Sequence, residues 1–197
     1  MNTGSQERVT PDAASGSARD GTVDDILHFW RSAGLQSWFA KDDAFDSVFR
    51  DRFLGLYFEA AARHCDAWAA TADGTLALLI LLDQFPRNAF RGTAHMFATD
   101  GLALMFARGG LAAGHDTRLG DDCRVCFYLP FTHSENLADQ DLAVTLRRAL
   151  CPRLERRAAE HRDIIYRFGR FPHRNALLGR ETTPEEADFL ASGGFAG

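Results

Sequence analysis

The chain has 197 residues, 46% of them apolar and 25% charged, with a net charge of −5. That size and balance predict a globular domain with a sizeable core. The acidic balance disfavours a general nucleic-acid surface, and no apolar run is long enough to read as a membrane span. With no apolar signal-peptide core at the start, the expectation is a cytoplasmic protein whose four cysteines, Cys65, Cys123, Cys126 and Cys151, are free thiols. Cys123 and Cys126 have CxxC spacing, but no second pair accompanies them, so they read as small buried residues on a helix.

Basic residues are unevenly placed. Lys41 is the only lysine among 22 basic residues. Residues 151–180 hold eight arginines against Glu155, Glu160 and Asp163, a local +5 that leaves −10 for the remainder. A basic segment on an acidic protein focuses small anions without general stickiness.

Residues 1–21 are rich in Ser, Gly, Ala, Thr and Asp and read as a disordered tail; residues 22–197 read as one all-helical domain. Thr22 caps a first helix, with Asp24 and Asp25 in its positive first turn and an apolar face of Ile26, Leu27, Phe29 and Trp30. Gly34 ends it, and Trp38-Phe39 is an aromatic connector. Asp42-Asp43 opens a longer helix in which Phe45, Val48, Phe49, Phe53, Leu56, Tyr57 and Ala60 recur at three- and four-residue steps. Residues 75–82 are apolar nearly all round, which predicts a central helix, stopped or kinked at Pro86.

Thr99-Asp100 caps a helix over 102–107, closed by Gly109-Gly110. A short helix follows near 121–127, then a proline-containing aromatic break over 128–133. Residues 134–140 start a helix running to about Leu150, with Ser134 and Glu135 placed to cap it. Pro152 begins the next helix, through Tyr166, and Gly169 interrupts it before a turn at Phe171-Pro172. Thr183, Pro184 and Glu186 make a capping box for a last helix ending at Ser192. No segment alternates like a strand, so the fold class is all-α.

One motif repeats. Phe85-Pro86-Arg87-Asn88 returns as Phe171-Pro172-His173-Arg174-Asn175, each time after a long helix. Helix pairs joined by short turns imply a compact stack of antiparallel pairs, tetratricopeptide-like but without a strict period. In both turns Pro fixes the backbone, Asn tolerates a left-handed conformation, and Phe anchors the turn to the core.

LLDQFPRN at 81–88, YLPFTHSENLADQ at 128–140 and HRDIIYRFGRFPHRN running on to Glu186 from 161 stand in that order. With these three motifs the chain resembles a bacterial family known as domain of unknown function 924, over about residues 26–195. The resemblance implies a compact all-helical, tetratricopeptide-like fold. It carries no activity, cofactor or catalytic residue.

The stretch from His161 to Asn175 packs four arginines, two histidines and an aspartate among aromatics. Charges interleaved with rings suit a partly buried binding site better than a solvated face. Its chemistry names His133 and His161 as acid/base candidates, because histidine titrates near neutrality. Asp83, Arg87, Glu135, Asp163, Arg167, Arg170, His173 and Arg174 are the candidate ligand-binding residues. Arg174 sits in a turn, uncommitted to helix packing, and is the one chosen to face an anion. The competing reading pairs these arginines internally with Asp83, Glu135, Asp139 and Asp163.

No metal site is assigned, because His133-x-Glu135 and His161-x-Asp163 put their side chains on diverging helix faces. His161-Arg162-Asp163 resembles a kinase catalytic loop, but the glycine-rich loop and Asp-Phe-Gly are missing. No nucleotide-binding glycine motif is present, and no cofactor is named. The expected partner is a small polar or anionic ligand, neither nucleic acid nor membrane. The alternative is a tetratricopeptide-like interaction module holding an acidic peptide. A closed pocket lined by His133, His161 and Arg174 favours the ligand; an open groove of arginines favours the peptide.

Overall fold

The computed structural model describes residues 22–38 and 40–195. The expected tail at 1–21 lies outside them. Among the described residues every regular element is helical, and no helix is long and apolar enough to cross a membrane. Ten α-helices follow in order: α1 (Val23–Trp38), α2 (Asp43–Ala61), α3 (Ala72–Leu79), α4 (Phe85–Ala89) and α5 (Asp100–Ala112), then α6 (Asp121–Phe127), α7 (Leu129–His133), α8 (Leu137–Leu150), α9 (Pro152–Phe168) and α10 (Pro184–Ala191).

The apolar run at 75–82 forms the centre, as its composition predicts. Leu76 through Leu82 are all buried, and α1, α5 and α6 pack around α3. Packing in this half runs to the next-but-one helix: α1 on α3, α2 on α4, α3 on α5. The aromatic face of α2 enters the same core, where Phe49 meets Phe85 edge-on at 5.1 Å and Tyr57 stacks on it at 5.1 Å. Each such ring contributes about 1.5–3 kcal/mol through burial, with roughly 0.5–1.5 kcal/mol more per well-set pair.

Several local expectations are corrected. Pro86 neither stops nor kinks the chain out of helix. Residues Ile80–Gln84 open into a π turn, where Phe85 N–H reaches back to Ile80 O, and Pro86 then sits in the first turn of α4. The wider turn accommodates a ring that lacks an N–H and would clash in a regular helix. Gly109-Gly110 does not close α5, which continues to Ala112. A Cβ on Gly110 would lie 2.6 Å from Phe127 Cζ and 2.8 Å from Thr75 Cγ2, so this glycine is a close-packing point. Asn136, rather than Ser134 or Glu135, caps α8 by accepting from the Ala138 and Asp139 amides. Gly34 does break α1, with φ 75° inside it, and Thr183 and Glu186 form the expected capping box.

The pair α8 and α9 makes an antiparallel hairpin across Cys151. Arg148 bonds Glu155 near the turn and Arg162 bonds Asp141 at the far end, fixing one register. A small second cluster of Ile164, Ile165 and Phe171, with Phe168 and Phe189 against it, closes the C-terminal end. Gly169 ends α9 in the left-handed region at φ 68°, where a side chain would be strained.

Candidate functional site

The three sequence motifs meet. His133 Nδ1 lies 2.7 Å from Asp83 Oδ1, joining the second motif to the first. Arg174 Nη2 donates to His133 O at 3.0 Å, and the Phe171 amide donates to Glu135 at 2.9 Å, joining the third to the second. The repeated turns meet on a shared carboxylate. Arg87 grips Asp100 through both terminal nitrogens, at 2.8 and 3.0 Å, and Arg174 Nη1 reaches the same Asp100 at 3.3 Å.

Asn88 and Asn175 are both right-handed, which corrects their expected role. Each serves through its side chain: Asn88 donates to Asp46 at 2.6 Å and Asn175 to Glu186 at 3.1 Å. The motif therefore reads as Phe into the core, Asn onto a buried acid, and Arg towards Asp100.

Beside these contacts lies a cavity of about 620 Å³. Its wall includes His133, His161, His173, Arg87 and Arg174, with Lys41, Arg91, Arg147 and Arg157. Among the described residues, aspartate and glutamate are absent from that wall. The apolar share comes from Trp38, Phe97, Leu129, Leu154, Phe171 and Phe195, among others. A cavity with low-dielectric walls and charge of one sign concentrates the opposite ion.

Of the sequence candidates, His133, His161, Arg87, His173 and Arg174 line this cavity. Asp83 lies behind it, 1% exposed, as the acceptor of His133, Arg87 and Gln84. The other four candidates are placed elsewhere. Asp163 is exposed beside Arg162. Arg167 is an exposed partner of Glu185. Arg170 is tied to Glu186 at 2.6 and 2.8 Å and to Glu181 O. Glu135 is held by Arg180 and the Phe171 amide. The physical reason is periodicity: on α9 His161 faces inward with Ile164 and Ile165, which turns Asp163 and Arg167 to solvent. Internal pairing of arginines with acids thus describes Arg167 and Arg170, but with Glu185 and Glu186 rather than with the four acids the competing reading names.

The proton positions follow from these partners. Burial would raise the Asp83 carboxyl, but the charge of Arg87 and the hydrogen bonds from His133 and Gln84 outweigh it and hold the group well below the carboxylate range. An ionised carboxylate only accepts, so His133 Nδ1 carries the hydrogen. Burial, then the charge of Arg87, lowers the His133 pKa despite Asp83. The ring is neutral at pH 7, and Nε2 holds the lone pair. Nε2 makes no hydrogen bond among the described residues. His161 is oriented in the same way, by Nδ1 donating to Arg157 O at 2.7 Å, and burial lowers its pKa to about 4. His173 also falls to about 4, through burial and then the neighbouring Arg174 charge.

Arg174 is less free than its place in a turn suggests. It is 6% exposed, and its guanidinium lies 4.6 Å from the ring centres of both Phe97 and Phe171. Burial lowers its pKa to about 10, so it stays charged, and its Nε has no partner among the described residues. Glu186, beneath the same turn, is depressed to about 2, chiefly by the Arg170 hydrogen bonds, with the Thr183 amide adding to them.

Arg147 was missed in the sequence. It is 4% exposed, and neither Nε nor Nη2 has a partner among the described residues. The nearby Cys126 thiol does not neutralise it, because burial raises that thiol to about 12. Stranding a buried charge without its partner costs about 3–5 kcal/mol. The signal was present: Gln140, Ala143 and Arg147 form the buried stripe of α8, so an arginine occupies a position where an apolar side chain is expected.

Comparison with known proteins adds fold and family. Residues 26–194 match the family described as bacterial protein of unknown function (DUF924), and the chain belongs to that family. It is similar to a solved protein of unknown function, ATU0120 from Agrobacterium tumefaciens, with 54% identity and a TM-score of 0.84, over 86% of this chain and 97% of that one. No curated protein matches.

Proposed function

From a family that carries no assigned chemistry, we propose a function based on the cavity: it binds a small anionic ligand, with His133 as a general base beside it. One observation carries the reading. Among the described residues, one lysine and five arginines line the wall and no carboxylate does. Arg87, Arg91 and Arg174 have carboxylate partners behind the wall, but the remaining excess of positive charge repels itself, and an anion relieves that repulsion. The volume suits a small molecule, since such pockets run to about 300–1,000 Å³.

The dyad of Asp83 and His133 supports the catalytic half. A buried carboxylate that orients Nδ1–H leaves Nε2 as a base at neutral pH. His161, His173 and Arg174 share the wall, an arrangement that favours a small ligand over an acidic peptide on a tetratricopeptide-like groove. A cytoplasmic setting, with its pool of small anions, belongs to the same proposal.

The test is a thermal-shift series against phosphate, acetate, small dicarboxylates and larger organic anions at fixed ionic strength. Native mass spectrometry of the purified protein accompanies it. Anion-specific stabilisation, or a retained small molecule, is the expected result. Equal, featureless responses to every anion would remove the reading.

A further inference from the structure

The cavity offers two kinds of arginine. Arg87 and Arg174 are braced by Asp100, while Arg147 is braced by nothing among the described residues. Its Nε and Nη2 are fully buried and unpartnered, which leaves Nη1 as the nitrogen open to the cavity. A folded protein tolerates an unpaired buried guanidinium when function needs it there.

The wall around it is apolar as well as basic: Val125, Leu129 and Leu154 come from α6, α7 and α9, next to α8. The space is far larger than a bare inorganic anion needs. We infer that Arg147 is the anchoring residue for the ligand, and that the ligand is an organic anion: one carboxylate or phosphate head on an apolar body. This rests on the anion-binding reading above and names its ligand class. Nη1 of Arg147 donates to an oxygen of the head and the guanidinium charge attracts it, while the body covers the aliphatic and aromatic wall, expelling water from both.

The experiment pairs each inorganic or minimal anion with an apolar counterpart at fixed pH and ionic strength. The probes are acetate and octanoate, and phosphate and phenyl phosphate. Binding is read by thermal shift and calorimetry on the full chain and on Arg147→Met, Arg147→Lys and Arg148→Gln. For the wild type, octanoate or phenyl phosphate should stabilise clearly more than its small counterpart.

Arg147→Met should melt at or above the wild-type temperature without ligand, because it removes a stranded charge, and it should bind at least about tenfold more weakly. Arg147→Lys keeps the charge on a differently placed, more strongly hydrated ammonium and should fall between. Arg148→Gln, on the exposed side of the same helix, should behave like wild type.

If Arg147→Met keeps full binding, Arg147 is not the anchor, although the anion site itself stands. If Arg147→Met and Arg147→Lys both melt well below wild type without ligand, Arg147 is structural and the inference fails. If the small anions bind as well as their apolar counterparts, the ligand class is wrong. If no anion acts on the wild type, the anion-binding reading falls, and this inference with it.

Discussion

The two Phe-Pro turns spell nearly the same word and are held by different means. At residues 85–88 the turn is driven into the main apolar core, with Phe85 fully buried among Phe49 and Tyr57. At residues 171–175 the apolar cluster is small, and charge does the holding: Arg170 and Asn175 on Glu186, Arg180 on Glu135. The arginines differ accordingly. Arg87 has both terminal nitrogens on Asp100 and a further bond to Asp83 O, whereas Arg174 has one long bond to Asp100, one to His133 O and an unpartnered Nε. Sequence identity of a turn therefore does not set its role. The surrounding burial decides which arginine is a strut and which has bonding capacity left.

The largest test of that contrast removes the strut. Arg87→Gln leaves Asp83 and Asp100 short of their cation in a buried place, and should cost about 3–5 kcal/mol in urea unfolding. A loss under about 1 kcal/mol would show that Arg87 is not the brace described here.

Acid should separate the two turns next. His161 and His173 border the second turn, and both are held near pKa 4 against a usual 6.5. Between those values the unfolded chain takes up protons that the folded chain refuses, so stability falls as pH drops from about 6.5 to 4. His161 alone should account for on the order of 2–3 kcal/mol. His161→Phe, which keeps a ring against Phe171 and Phe195, should flatten the profile in that window. An unchanged slope would argue against a buried neutral His161.

Arg174→Gln should be milder than Arg87→Gln, about 1–2 kcal/mol, and should leave the helical circular dichroism intact while weakening anion binding. Equal losses from the two substitutions would erase the distinction between the turns. The smallest effect is expected from Arg167→Ala. Its pair with Glu185 is solvent-exposed, so thermal unfolding should change by less than about 1 kcal/mol, with no effect on anion binding. A clear binding defect there would move the site to the outer face of α9.

Much of the molecule was legible from residue order. The apolar run at 75–82 could only be central, because no polar face is available to meet water. The capping box at Thr183 and the break at Gly34 are local chemistry, and they form as written. The meeting of His133 with Asp83, and of Arg174 with His133, follows motifs dense in charge and aromatics. Illegible were the facings of α9. Asp163 and Arg167 look like site residues because they stand among histidines, but at 3.6 residues per turn they point away from His161, and Arg170 lies past the Gly169 cap.

Sequence by itself determined the helical class, the central apolar run and the residue types gathered at the site, because propensity, capping and hydrophobic periodicity act over a few residues. Tertiary structure alone decided which arginines are paired. Asp100 meets Arg174 across 74 positions and Glu135 meets Arg180 across 45, and no local rule selects those partners. The same holds for Arg147, whose lack of a partner among the described residues is a fact about the space around it: α8 turns it inward among residues of α6, α7 and α9, where none of the described carboxylates lines the cavity.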